Sequence, residues 1–201
     1  LTRPSKSSGS TGYFWPLAGE YVCIQRCLWS IGNGAFKYCF GGIYLAKRSV
    51  KIIPLGGVEE IGKNLTVIEY ADDIIVVDCG TIFPSEDMPG VDLVIPDATY
   101  LYKNAEKVRG IIITHGHEDH IGAIPYIMKE LSVPIYATEL TKALIEHKLN
   151  EHKMSNIEVV CVQPRSSVRL GSMTVEFIRT NHSFAGAVAI AVHTPLGVIV
   201  H

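Results

Sequence analysis

Residues 110–126, GIIITHGHEDHIGAIPY, place three histidines and two acids within the seven positions 114–120, directly behind an apolar run. The run GIIIT is typical of a buried strand, and IGAIPYIMKEL (121–131) has apolar residues at helical spacing. Pro125 is compatible with the first turn of that helix. The pattern therefore predicts a strand, a polar connection and a helix, with a ligand site in the connection.

The spacing of the histidines indicates a metal site. His115 and His117 are two positions apart, so they cannot share a helix face, but they point the same way on an extended segment. Imidazole and carboxylate ligands suit zinc, manganese or iron, and no thiolate is nearby. Asp119 and His120 are turned away from His115 and His117 and can hold a second ion beside the first. Two ions ~3.5–4 Å apart can neutralise both oxygens of an in-line displacement.

The chain from Lys47 onward predicts an α/β layered domain in which strands dominate. Short β-branched runs separated by turn residues predict strands, and a second helix opens on a threonine cap. The predicted strands are VKIIPLGG (50–57), LTVIEY (65–70), DIIVVDCG (73–80), GIIITHGH (110–117), PIYAT (134–138), IEVVCV (157–162), SVRLGSMTVEFIRT (167–180), AVAIAVHT (187–194) and GVIVH (197–201), and the second helix is TELTKALIEHKLNEH (138–152).

Composition narrows the class of protein. The chain has 201 residues, of which 47% are hydrophobic and 19% charged, enough for one domain with a sizeable core. A net charge of −2 gives no electrostatic argument for a nucleic-acid partner. No apolar run reaches the ~18 residues of a membrane span. We therefore expect a cytoplasmic protein without a membrane partner.

Residues 1–46 differ from the rest of the chain. They are rich in Ser, Gly, Cys and aromatic residues, contain Glu20 as their single acid, and show no sustained period. We expect this unassigned segment to be poorly ordered, whereas residues 47–201 form the domain. Of the five cysteines, Cys79 and Cys161 fall in apolar runs and are predicted to be buried. This cysteine usage indicates a reducing compartment.

Four separated motifs carry a family resemblance. His-x-His-x-Asp-His after a strand resembles the signature of the metallo-β-lactamase fold, and the surrounding motifs are similar to those of the ribonuclease J family of β-CASP nucleases. The matching stretches are KIIPLGGVEEIGKN (51–64), VVDCGTIFPSEDMPGVDLVIPD (76–97), THGHEDHIGAIPY (114–126) and NHSFAGAVAIAVHTPLGVIVH (181–201). The resemblance covers about residues 47–201 and implies a truncated αβ/βα sandwich.

The resemblance implies a site with two divalent metal ions, zinc or else manganese. His115, His117 and His182 correspond to the ligands of the first ion. Asp119 and His120 correspond to ligands of the second ion and to the catalytic residues. Asp119 would also orient the hydrolytic water.

Further polar residues are assigned by the same comparison. Asp78, at the end of IIVVD, corresponds to a buried aspartate that supports the ligand loop, although a strand-terminal Asp is often a turn former. His193 and His201 lie in predicted strands and match no ligand, so we expect structural roles. His147 and His152 fall on a polar helix and its end, where we expect solvent exposure.

Two departures from the family pattern affect the site. Family members often carry an Asp where this chain has Gly186. The family also continues past the position of His201 with Thr-Gly-Asp, whose Asp bridges both metals, and then with the β-CASP domain. We therefore expect this chain to be the N-terminal fragment of a longer enzyme and to be inactive by itself.

Three functions remain open from the sequence. The first is a metal-dependent ribonuclease, an endonuclease or 5′–3′ exonuclease of RNA processing and decay, with RNA as substrate and a homo-oligomeric full-length form. The second is another hydrolase of the fold, acting on a thioester, lactone or β-lactam; GGVEEIGKN and FPSEDMPGVD argue against it, because those branches do not share these motifs. The third is an inactive metal-binding fragment.

Overall fold

The structure is a computed structural model, which describes residues 49–201 in full. Within the first 48 residues it describes only the backbone of three short strands. The prediction of poor order for residues 1–46 otherwise lies outside the described residues, as do the side chains of Cys23, Cys27 and Cys39, and it stays a prediction.

The described strands form three sheets. β1 and β2 form a two-stranded sheet, β3 to β9 a seven-stranded sheet in chain order, and β10 to β13 a four-stranded sheet in chain order. The strands are β1 (Phe14–Leu17), β2 (Glu20–Cys23), β3 (Trp29–Ile31), β4 (Val50–Gly56), β5 (Leu65–Tyr70), β6 (Asp73–Val77), β7 (Val108–Ile112), β8 (Ile135–Ala137), β9 (Val159–Cys161), β10 (Ser167–Leu170), β11 (Met173–Arg179), β12 (Val188–Thr194) and β13 (Gly197–Val200).

The seven-stranded sheet changes direction at β6. Strands β3 to β6 pair antiparallel, whereas β6 to β9 pair parallel. The parallel pairing of β6 with β7 brings the carboxyl ends of both strands to one edge of the sheet. The ligand-bearing connection predicted after residue 113 begins at this edge. The prediction of an α/β domain in which strands dominate is confirmed.

Two hydrophobic cores lie on the two faces of this sheet, because side chains alternate along each strand. On β6, Ile74 and Val76 contact the helical side, while Ile75 and Val77 contact the four-stranded sheet, where they meet Phe177. All five are at most 1% exposed. Each such side chain stabilises the fold by about 1.5–3 kcal/mol, which fixes the sheet as a rigid support for the connection.

The described helices all lie in the connections between β6 and β9, the parallel half of the sheet. They are α1 (Thr99–Lys103), a 3₁₀ turn (Ala105–Lys107), α2 (Glu118–Ile121), α3 (Ile124–Ile127) and α4 (Glu139–Glu151). In the described part of the chain, none of them has the length and apolar character needed to cross a membrane.

The single helix predicted for 121–131 is wrong in its continuity, because α2 and α3 are separate short helices. The Ala123 N–H donates to the Cys79 carbonyl, 2.9 Å away, instead of continuing the helical ladder. Pro125 has no N–H and lies in the first turn of the second helix. The contact with Cys79 ties the break to the end of β6, so tertiary packing overrides the helical periodicity.

Thr138 precedes α4 as predicted, but its side chain does not cap the helix. Its hydroxyl donates to the carbonyl of Gly186 at 2.9 Å. Because Gly186 follows His182 in the loop between β11 and β12, this bond ties the start of α4 to a predicted ligand segment.

Of the two cysteines predicted to be buried, only Cys79 is buried. Cys161 is exposed, which corrects the prediction. It ends β9, which is the edge strand of the seven-stranded sheet among the described strands. Both thiols are free among the described residues.

Candidate metal centre

Asp78 and Thr114 connect the ends of β6 and β7. Asp78 has a φ of +61°, a left-handed conformation that Asp and Asn tolerate better than most residues. Its N–H donates to the Ile112 carbonyl at 2.9 Å. Its carboxylate accepts from the Thr114 N–H at 2.8 Å and from the Thr114 hydroxyl. Asp78 is only 1% exposed, so these bonds replace the water that a buried carboxylate loses.

Three histidines converge beyond Thr114. His115 is buried, His117 half-buried and His182 exposed, and one nitrogen of each lies within 4.8 Å of the others. The ring centroids of His115 and His182 are 4.4 Å apart. The chain therefore folds so that the β7–α2 connection meets the β11–β12 loop at the histidines predicted as first-ion ligands.

The donor set fits a divalent metal ion. His117 Nδ1 lies 3.0 Å from His115 Nε2 and 3.3 Å from His182 Nε2. One ring nitrogen carries at most one proton, so His117 Nδ1 cannot donate to both neighbours. Ligand atoms of a tetrahedral zinc site, with bonds of ~2.0–2.1 Å, are about 3.3–3.4 Å apart. The two separations are close to that spacing, and all three nitrogens lie within 4.8 Å of one another, so they can share one ion.

His115 is held in the form that a metal requires. Burial, aided by the neighbouring His120, His182 and His117, lowers its pKa to about 4 against the opposing charge of Asp78. Its Nδ1 lies 3.0 Å from the Thr114 hydroxyl, which leaves Nε2 directed at the cluster. A neutral imidazole whose second nitrogen is hydrogen-bonded is the usual arrangement of a metal-bound histidine.

Asp119 and His120 form a second group beside the three histidines. His120 Nε2 lies 3.4 Å from Asp119 Oδ2, and its Nδ1 lies 2.7 Å from Asp78 Oδ2. Burial opposes the charged form of His120, but the hydrogen bond and charge of Asp78, aided by Asp119, outweigh burial and raise its pKa. The Asn64 amide donates to the Asp119 carboxylate at 3.2 Å and lies 3.2 Å from His120 Nε2. This group offers one imidazole and one carboxylate, with the side chain of Asp119 41% exposed.

Backbone contacts lock this second group in place. The N–H groups of Asn64 and Cys79 donate to the carbonyls of Asp119 and His120, at 3.1 and 2.8 Å. Gly80 lies so close that a Cβ placed on it would be 1.6 Å from the Asp119 carbonyl oxygen. Only glycine therefore permits this approach of the β6 end to α2.

Phe184 forms the apolar wall of the site. Its ring centroid lies 5.4 Å from that of His117 and 6.1 Å from that of His115. A Cβ on Gly116 would lie 2.5 Å from the Phe184 ring, so the glycine of His-Gly-His makes room for the aromatic side chain. Gly186 has a φ of +79°, a left-handed conformation that glycine adopts without strain.

The structure thus brings together all six side chains predicted for the site. Sequence reasoning assigned no role to Asn64, Thr114 or Phe184, although all three stand inside the matching stretches 51–64, 114–126 and 181–201. The other histidines lie elsewhere: His193 pairs with Glu176, His147 with Glu151, and the His152 ring contacts Tyr126. Among the described residues, no other group of three His, Cys, Asp or Glu side chains is close enough to share an ion.

Comparison with known proteins agrees with this geometry. Residues 59–198 match the family model of the metallo-β-lactamase superfamily. The chain belongs to this superfamily. The metallo-β-lactamase fold protein YhfI from Bacillus subtilis has a similar structure, with a TM-score of 0.54, 20% identity, and coverage of 75% of this chain and 61% of that one. The predicted fold class is confirmed.

Within the superfamily the chain is similar to ribonuclease J. It is 51% identical to ribonuclease J of Synechocystis sp. over 157 residues, which are 77% of this chain and 24% of the relative. It is 46% identical to ribonuclease J of Helicobacter pylori over 158 residues, which are 78% of this chain and 23% of the relative. The resemblance inferred from the four motifs is confirmed, and the chain spans about a quarter of the length of these relatives.

Proposed function

We propose that the intact protein is a metal-dependent ribonuclease that hydrolyses RNA phosphodiester bonds, as an endonuclease, a 5′–3′ exonuclease or both. One observation carries the proposal: His115, His117 and His182 converge beside Asp119 and His120 in a chain 51% identical to a ribonuclease J. We further propose a homo-oligomeric intact protein located in the cytoplasm, where free thiols such as those of Cys79 and Cys161 persist.

Zinc, or manganese in its place, would be held by His115, His117 and His182 at one position and by Asp119 and His120 at another. A divalent ion lowers the pKa of water and neutralises charge on phosphoryl oxygens. The donor set contains imidazoles and a carboxylate, which suit both metals.

The protein's own side chains orient the reaction. Asp78 accepts a hydrogen bond from His120 Nδ1, which fixes the ring with Nε2 3.4 Å from the Asp119 carboxylate. The Asn64 amide holds the Asp119 carboxylate at 3.2 Å. We propose that Asp119, being partly exposed and fixed in this way, accepts a hydrogen bond from the attacking water and orients it toward the phosphate.

Two histidine substitutions, made separately in the intact protein, test this function. Cleavage of a single-stranded RNA should require divalent metal, should stop in EDTA, and should fall by orders of magnitude in His117→Ala. His193→Ala removes a histidine that pairs only with Glu176 on the sheet surface, so it should cleave RNA like the wild type. Efficient hydrolysis of nitrocefin or a thioester, with RNA left intact, would show that the substrate assignment is wrong.

A further inference from the structure

A pocket of about 230 Å³ borders the metal centre on the side of His182. It is lined by nine residues from the β11–β12 loop and its surroundings, none of which is acidic. Ligand pockets for whole small molecules measure roughly 300–1,000 Å³. This volume suits a single chemical group, such as a phosphate with part of its sugar.

Arg179 supplies the charge of this pocket. It ends β11, three residues before His182, and its side chain is exposed. Two other arginines of the described chain are engaged, since Arg109 binds Asp73 at 2.5 Å and Arg169 donates to the Gly171 carbonyl at 3.3 Å. Within residues 49–201, the Arg179 guanidinium has neither an ion-pair partner nor a hydrogen-bond acceptor.

The remaining lining complements an anion. The Asn181 side chain adds an uncharged donor beside Arg179, and Phe184 and Ala185 add apolar surface. A guanidinium presents a planar fork of donors that matches a phosphate group. His182 belongs both to this lining and to the three-histidine cluster, so a group seated here lies next to the metal centre.

We propose that this pocket is a substrate subsite in which Arg179 binds a backbone phosphate of the RNA strand adjacent to the one that is hydrolysed. The inference rests on the proposed function and specifies how the strand is aligned.

Arg179→Ala in the intact protein tests the subsite, with Arg169→Ala as the matched control. Arg169 lies opposite Thr174, at the other end of the β10–β11 hairpin from Arg179. Its substitution by alanine removes the same charge from the same sheet. Affinity for a single-stranded RNA oligonucleotide is measured in EDTA, which prevents cleavage. We expect Arg179→Ala to weaken binding about 10- to 100-fold, as for the loss of one charge-assisted contact, and Arg169→Ala to bind like the wild type.

The salt dependence of binding and the metal content give two independent readouts. The slope of log K against log salt should decrease by about 0.7 in Arg179→Ala, the value for one phosphate contact on a single strand. Zinc per chain should equal that of the wild type, because Arg179 is not a member of the three-histidine cluster. Arg179→Lys should restore the salt slope but only part of the affinity, since it keeps the charge without the fork.

Oligonucleotides with a single neutral methylphosphonate linkage locate the contact. The wild type should lose affinity when the neutral linkage is next to the cleaved bond, and Arg179→Ala should not respond to that position. Equal weakening by both alanine variants, or an undiminished response in Arg179→Ala, would overturn the subsite while leaving RNA cleavage intact. A wild type that neither binds nor cleaves RNA would instead overturn the proposed function, and the subsite with it.

Discussion

Asp78 Oδ2 lies 2.7 Å from His120 Nδ1, although the two residues are 42 positions apart in the chain. The same carboxylate binds the N–H and hydroxyl of Thr114, and the Thr114 hydroxyl lies 3.0 Å from His115 Nδ1. One buried carboxylate thus orients a histidine of each predicted metal position. Partners of this kind fix the tautomer of a ligand histidine and raise its basicity.

Asp78→Asn should weaken metal binding and RNA cleavage by the intact protein about 10- to 100-fold, the usual effect of losing such a partner. The amide keeps the shape of the side chain and tolerates the positive φ, but it presents an N–H where His120 needs an acceptor. Metal affinity and single-turnover cleavage measure the effect. Asp92→Asn, on an exposed loop, is the control and should match the wild type. Normal metal affinity in Asp78→Asn would contradict the orienting role.

Gly80→Ala should destabilise the fold by about 3 kcal/mol or more, because overpacking that forces backbone shifts is costly. The added Cβ would lie 1.6 Å from the Asp119 carbonyl oxygen, and a backbone atom cannot rotate away. Gly90→Ala is the comparison: its Cβ meets nothing within 4 Å, and its φ of +81° costs only about 1–2 kcal/mol. Urea denaturation of the 201-residue chain compares the two variants, and equal losses would show that the close approach is not rigid.

The 201-residue chain should hold at most about one tightly bound zinc ion, since three histidines with an open position suffice for one site. The second group offers only His120 and Asp119, and two nearby cations need more negative charge between them. We therefore expect this chain to leave RNA uncleaved, even with metal supplied. Elemental analysis after dialysis measures the stoichiometry, and His182→Ala should reduce it toward zero. Two tightly held ions with robust cleavage would refute this expectation.

Asp73→Asn should destabilise the 201-residue chain at pH 7 by about 1.5–3 kcal/mol, the range for hydrogen bonds to a charged group. Asp73 binds Arg109 at 2.5 Å and accepts from the Ser172 N–H and hydroxyl, which joins β6 to the β10–β11 turn. Asp72→Asn is the control, because Asp72 is 89% exposed and its ion pair with Lys107 should contribute less than about 1 kcal/mol.

The pH dependence of the same variant has a defined sign. Burial opposes the charge of Asp73, but hydrogen bonds from Ser172 and Arg109 outweigh it and lower its pKa. A lowered folded-state pKa gives stability that is complete above the unfolded value of ~3.9 and is lost as the pH falls through the folded value. Urea unfolding at pH 7 and below pH 3 should therefore show the difference between wild type and Asp73→Asn shrinking in acid. A constant difference would mean that the effect is not due to the charge.

Local pattern was enough for most of the chain. The strands were predictable because short alternating or continuous runs of β-branched residues are typical of strands with one or both faces buried. The spacing of His115 and His117 directly after β7 indicated a ligand site. The family resemblance extended the site to His182 and Asp78. The predictions of a continuous helix over 121–131 and of a buried Cys161 were wrong. Each depended on which distant segment packs against that part of the chain.

The sequence by itself determined the strand–ligand loop–helix order and the chemistry of the ligand set, because both depend on residues within a few positions of one another. Only the tertiary structure decided that Asn64 holds Asp119 across 55 positions, that the Thr138 hydroxyl binds Gly186 instead of capping its helix, and that Arg179 lines one pocket with His182. These relationships join segments distant in the chain. Their geometry is set by how two sheets and α4 pack, which no local pattern encodes.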